Sequence, residues 1–173
     1  MKCYGTKIPE TWKRLMEKQS EFVACSMVNE TKACEFGDND EGKILDLAGG
    51  EICHYRYLLQ LCSLVLGKKY ESFEHLSETI SWLYSETEIE TLKQLPLWKP
   101  SQSRTFEEGG YTFLRSKNGK VVIGIDHAPL GFGSIAAHGH ADALSFQLYV
   151  DGDCILGDPG TYIYHCNIQK RDE

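Results

Sequence analysis

The hydrophobic positions change period once along the chain. After Ile8-Pro9, Trp12, Leu15, Met16, Phe22, Val23 and Met27 recur at helical steps, which predicts a first helix with Pro9 suited to its first turn. Tyr55, Leu58, Leu59, Cys62 and Leu66 form a second such stripe over Ile52 to Leu66, and Gly67 is a plausible stop. Phe73, Leu76, Ile80 and Leu83 predict a third helix over Tyr70 to Tyr84. A polar stretch with Pro96, Pro100, Ser101 and Ser103 then breaks the pattern. Beyond it the period drops to two. Gly110 to Ser116 alternates, Asn118-Gly119 predicts a tight turn, and Lys120 to Asp126 returns. From Ala143 to Val150, Leu144, Phe146, Leu148 and Val150 share one side, with Ser145, Gln147 and Tyr149 on the other. That is the pattern of a half-buried strand. Asp151-Gly152 predicts a second hairpin, because both turn positions favour positive φ. The chain then returns through Cys154, Ile155 and Leu156 to Asp158-Pro159-Gly160. The expectation is an α+β chain with helices over 1–95, a connection over 96–103 and an antiparallel sheet, half of a sandwich, over 104–173.

Composition narrows the classes. At 173 residues the chain is long enough for one ordinary domain or two small ones, and 42% hydrophobic residues support a packed core. The net charge is −7 with no basic stripe, which argues against nucleic acid as a partner. No apolar run approaches the length needed to span a membrane, and the polar start shows no secretion signal. The seven cysteines, at 3, 25, 34, 53, 62, 154 and 166, form no C-x-x-C pair. An odd number without metal spacing reads as reduced thiols, several of them buried in helices.

The candidate chemistry concentrates between Ala137 and Tyr164. His138 and His140 are two apart, which on an extended backbone sends both imidazoles to one face, and Asp142 continues that face. The following hairpin can bring Asp158 back toward His140. A histidine and an aspartate on adjacent strands make half of a metal site or part of an acid/base site. The same residues have plainer roles. A histidine pair on a strand is often simply hydrogen-bonded, Asp158 can stabilise its own turn, and Asp142 can fix a histidine tautomer. His165 could substitute as a ligand. Tyr111, Tyr162 and Tyr164 could offer stacking surfaces for a sugar, although strand aromatics are more often core. Asp38, Asn39, Asp40 and Gly42 faintly suggest a calcium loop, but its terminal glutamate is absent. A supporting turn is the better reading there.

The run HGHADALSF, followed by a glycine turn and DPGTYIY, resembles the signature of the heparinase II/III-like polysaccharide lyases, a group that includes heparinases and alginate lyases. The resemblance extends to the stretch from Phe106 through Gly110-Tyr111 to Arg115, and to the loop Gly37 to Gly42. It implies the last helices of an (α/α) toroid followed by a partial antiparallel β-sandwich. It implies a carbon–oxygen lyase that cleaves uronic-acid glycans by β-elimination, with an anionic polysaccharide or oligosaccharide as partner. Under it His138 matches a cleft histidine that neutralises the uronate carboxylate or assists proton abstraction. His140 and Asp158 match two of three protein ligands of a structural zinc. The third, in an alanine-histidine-asparagine segment, has no counterpart, nor do the asparagine or histidine and the tyrosine of the early toroid. The chain therefore resembles an internal fragment or split reading frame, expected to be inactive alone and open to a complementing chain. The resemblance also implies the cell envelope or periplasm, against which stand the missing signal and the reduced thiols.

Two other classes remain open on the residues alone. A non-catalytic carbohydrate-binding module or remnant would keep the sugar-facing strands without turnover. A metallohydrolase would use His138-x-His140-x-Asp142, but Ala143 stands where that pattern needs a further histidine.

Overall fold

The computed structural model describes residues 7–37, 54–100, 102–131, 142–158 and 169. The chain divides into two compact units. One takes the described residues of 1–33 and 45–101, and the other those of 34–44 and 102–173.

Among the described residues the first unit holds four helices: α1 Glu10–Ser26, α2 His54–Leu66, α3 Glu78–Leu83 and α4 Glu86–Lys93. The Pro9 carbonyl accepts from the amides of Trp12 and Lys13 at 3.0 and 3.1 Å, so the proline sits just outside the first turn. The inward face of α1 is made of Ser20, Ala24, Cys25 and Ser26 rather than its large apolar residues, and Trp12 and Leu15 are exposed. α2 ends at Gly67, as its sequence predicts; the Gly67 and Lys68 amides both bond to the Ser63 carbonyl.

The third helix differs from expectation. Only Glu78–Leu83 is helical, and residues 70–77 form an irregular loop. A buried polar network overrides the helical period there. The Glu71 carboxylate accepts from Arg56 Nε at 3.0 Å, Gln60 Nε2 at 2.9 Å, Ser72 Oγ at 3.0 Å and the Phe73 amide at 2.7 Å. Gln60 in turn accepts from the Ser77 amide at 2.9 Å and donates to the His75 carbonyl at 2.9 Å. Held this way, Phe73 adopts a φ of 63° that no helix allows. Two residues of the expected stripe are buried in the core and Leu76 packs against it, whereas Leu83 is exposed. Phe73 and Ile80 pack with Ile89 and Leu92 of α4, which begins at Ser85 with a full capping box to Glu88. A second cluster joins Ala24, Leu59 and Tyr70, with Trp98 against Tyr70 at 5.7 Å between rings.

The described residues of the second unit form a five-stranded sheet: β1 Arg104–Phe106, β2 Tyr111–Arg115, β3 Val121–Asp126, β4 Phe146–Val150 and β5 Asp153–Leu156. Every neighbouring pair is antiparallel and the order follows the sequence. Both predicted turns are present. Asn118 Oδ1 accepts from the Lys120 amide in the first, and Asp151 and Gly152 take φ of 50° and 89° in the second.

β4 is shorter than predicted and buries the opposite side. Residues 142–145 form a turn, closed by the Ser145 amide on the Asp142 carbonyl at 2.8 Å, with Leu144 at a φ of 63°. Gln147 and Tyr149 are 2% and 8% exposed, whereas Leu144 and Phe146 are 80% and 53% exposed. The reason lies in what covers each face. Register places Phe113, Gly124 and Gln147 in one cross-strand row. Over that row runs the segment Cys34 to Gly37. A Cβ at Gly124 would come within 2.8 Å of Cys34 Sγ and Phe36 Cζ. The Gln147 side chain accepts from the Glu35 amide at 3.2 Å and donates to the Glu35 carbonyl. Phe36 packs on Tyr111 and Phe113 at 5.3 and 6.4 Å. The other face carries Leu114, Ile123, Ile125, Phe146, Leu148 and Leu156 in register, and of these Leu114, Phe146 and Leu156 are exposed.

Candidate functional site

The connection from β3 to β4 carries the histidine motif. His138 and His140 lie outside the described residues, as do Tyr162, Tyr164, His165 and the 38–42 loop. The structure therefore does not bring His140 and Asp158 together or separate them. Asp158 follows β5 and is half-buried. Among the described residues no three histidine, cysteine or acidic side chains form a group able to hold a metal.

The points where that connection leaves and rejoins the sheet are described. At the end of β3, the buried Asp126 accepts from the Ala128 amide at 2.7 Å through Oδ1, and the His127 amide donates to the Gly110 carbonyl at 2.7 Å. At the return, the buried Asp142 accepts from the Gly37 amide at 2.5 Å through Oδ2. The Asp126 amide donates to the Ser145 carbonyl at 3.0 Å, which ties the two ends to one another. Asp142 thus bonds to the backbone of the 34–37 segment, an interaction its sequence position does not suggest.

Tyr111 stands in register with Asp126. Burial pushes its hydroxyl above the ordinary tyrosine value, and the carboxylates of Asp126 and Asp142 push it the same way. At neutral pH it is a neutral hydroxyl, able to donate a hydrogen bond or a proton but not to start as a base. On the outer face Thr105, Thr112 and His127 form a short polar chain, with hydroxyls 3.0 Å apart and Thr112 Oγ1 3.1 Å from His127 Nε2. His127 has no motif around it, so spacing gave no reason to single it out.

Among the described residues Cys34, Cys62 and Cys154 carry free thiols. Cys34 lies in the segment over the sheet, not in a helix, and burial pushes its thiol up to about 12. Cys154 is exposed. At pH 8 a chromogenic disulfide reagent is expected to modify Cys154 at least about tenfold faster than Cys34 in the native chain, with the difference vanishing in denaturant. Equal native rates, read by peptide mass mapping, would contradict the burial of Cys34.

Two comparisons bear on these residues. Residues 99–172 match the family model described as Heparinase II/III-like, C-terminal, a span that contains all five strands and the histidine motif. No curated protein matches the chain.

Proposed function

From a chain whose residues 99–172 are heparinase II/III-like at its C-terminal portion, we propose part of a polysaccharide lyase acting on uronic-acid glycans by β-elimination. The observation that carries this reading is the coincidence of the matched span with the sheet. The motif H-G-H-A-D lies on the connection from β3 to β4, at whose described ends the buried Asp126 and Asp142 accept main-chain amides.

In such a reaction a base removes the proton α to the uronate carboxylate. The electron pair forms the carbon–carbon double bond, and the 4-linked oxygen leaves and is protonated by an acid. The transition state gathers negative charge on the carboxylate, so a donor or cation there stabilises it selectively. His138 is the residue proposed for that role, as carboxylate neutraliser or as an aid to proton abstraction. Tyr111 supplies a neutral hydroxyl on the same unit.

The helices α1 to α4 are proposed as the last helices of a toroid, with 96–103 connecting them to the first strands of a sandwich over 104–173. The apolar outer face with Leu114, Phe146 and Leu156 supports this, because a sandwich places a second sheet against such a face. Among the described residues that face leaves Leu114, Phe146 and Leu156 exposed, and the chain alone is proposed to be inactive. Half a cleft forfeits most of the rate that positioning provides. The 173-residue chain is expected to release no ultraviolet-absorbing unsaturated uronate from alginate or heparan sulfate. Release of that product, abolished by His138→Ala, would overturn the incomplete-cleft reading and leave a lyase sufficient in itself.

Zinc is the group the resemblance implies. The donors proposed for it are His140 and Asp158, an imidazole and a carboxylate that suit zinc, but a structural site takes four ligands as a rule. Among the described residues no three such donors come together, and the two proposed ligands fall short of four. Zinc is expected to leave the chain readily to a chelator such as EDTA. One equivalent surviving dialysis against it, read by atomic emission, would show a fuller ligand set.

A further inference from the structure

We propose that the covered face of the sheet is a peptide-recognition groove that reads the pattern small–any–aromatic–glycine. It is filled in cis by Cys34-Glu35-Phe36-Gly37 and can take the same sequence in trans from another copy of this chain. The groove does not rest on the lyase reading.

Gln147 reads main chain. Its side chain carries a carbonyl and an amide NH2, the same kinds of group as a peptide unit. The carbonyl accepts from the Glu35 amide at 3.2 Å, and the NH2 donates to the Glu35 carbonyl. Glu35 is itself exposed, so this contact selects no residue type at that position. The Tyr149 hydroxyl donates to the same Gln147 oxygen at 3.0 Å and holds the amide in place. A buried amide without partners is costly, so Gln147 favours an occupied groove. The other positions read side chains. The missing Cβ of Gly124 leaves a hollow that holds the buried Cys34, whose Sγ would lie 2.8 Å from a Cβ there. The Phe36 ring packs on Tyr111 and Phe113 at 5.3 and 6.4 Å, separations that aromatic pairs favour. Gly37 takes a φ of 75°, which favours glycine, and its amide donates to Asp142 Oδ2 at 2.5 Å. Main-chain bonds of this kind give a peptide site affinity, and its side-chain pockets give specificity. Glu35 and Gln147 are 112 residues apart, so no local turn forces their pairing.

The test uses the 173-residue chain, under a reductant, and a fluorescein-labelled synthetic peptide copying residues 31–37, followed by anisotropy. A tethered segment acts at an effective concentration on the order of millimolar, so in the parent it should exclude micromolar peptide. Phe36→Ala weakens the segment in cis, and that chain is expected to bind the peptide at least about tenfold more tightly than the parent does. Changes confined to the peptide then probe the groove without touching the fold. Phe36→Ala in the peptide, or a methyl on its residue-35 amide nitrogen, should abolish binding, whereas Glu35→Gln should leave it within about twofold. If the Phe36→Ala chain is unfolded, the parent peptide is expected to restore its sheet, read by far-ultraviolet circular dichroism, and the alanine peptide is not. Three results would overturn the proposal. They are neither binding nor restoration, equal binding by parent and variant chains, and equal effects of the parent, alanine and methylated peptides. No glycan enters the measurement, so a failure of the lyase reading leaves its outcome unchanged.

Discussion

Gly110→Ala is expected to unfold the sheet unit or bring it close to unfolding. A Cβ at this position would lie 2.6 Å from the Ala128 backbone nitrogen and 2.7 Å from its Cβ. Both contacts, like the one with the Ala128 Cα, involve main chain or the root of a side chain, which no rotamer change can relieve. The residue also sits at a φ of 75°, where a Cβ costs about 1–2 kcal/mol by itself. Adding overpacking of about 1–3 kcal/mol gives a loss of about 2–5 kcal/mol. For a unit of this size each kcal/mol moves Tm by about 4–8 °C, so thermal unfolding should begin at least about 8 °C lower. Gly124→Ala is the milder comparison. Its closest clashes are with Cys34 Sγ and the rim of the Phe36 ring, which can turn aside, and one with the Cys34 Cβ at 2.9 Å moves only with that residue's backbone. A Gly110→Ala chain with the parent's melting curve would mean that Ala128 does not approach as described.

Glu71→Ala is expected to cost the helical unit about 3–5 kcal/mol, read as a lower denaturant midpoint. The carboxylate is a hub. Removing it strands the guanidinium of Arg56, which lies 2.9 Å from Glu71 Oε1 through Nη2 and is itself largely buried. It also releases Gln60 Nε2, the Ser72 hydroxyl and the Phe73 amide. Arg56 then keeps only the more distant Glu30 carboxylate at 3.8 Å and little solvent, so breaking the buried pair on one side costs more than the pair ever contributed. Glu71→Gln keeps the shape and an oxygen for the Phe73 amide, so a smaller loss is expected. The same hub holds Phe73 at its positive φ, so an intact midpoint in Glu71→Ala would show that core packing alone fixes the 70–77 loop.

Residues 70–77 also show where reading the sequence reaches its edge. The apolar spacing of Phe73, Leu76 and Ile80 is helical, and two of the three do bury, but a glutamate eleven residues from its glutamine partner carries no signal of that partnership. The turns at Asn118-Gly119 and Asp151-Gly152 were legible because a turn's chemistry is local. The meander was legible for the same reason. What could not be read was the long-range part, namely which face of β4 would be covered. Alternation places Leu144, Phe146, Leu148 and Val150 together, and burial should favour that side. The covering segment packs instead on Gln147 and Tyr149. One sign of it was present: Gly124 in the middle of Val121–Asp126, a run otherwise suited to a strand. A glycine in a strand interior often marks another chain segment passing close. At the candidate site, the resemblance drew attention to His138, His140 and Asp158, while Asp126 and the bond from the Gly37 amide to Asp142 emerged only from the fold.

The 34–37 segment has a consequence for how the protein is made. Glu35 and Gln147 are 112 residues apart in the chain, whereas the strands of the meander are neighbours in sequence. On a ribosome adding about 5–20 residues per second, Glu35 emerges roughly 6–20 s before its partner exists. During that interval Phe36 and Cys34 have no sheet to cover. The hairpins form from local contacts, and the segment docks only after β4, against the loop entropy of a long intervening chain. Chaperone dependence during synthesis should therefore track this one late-closing contact more than the helices, which complete their own core from residues synthesised before β1.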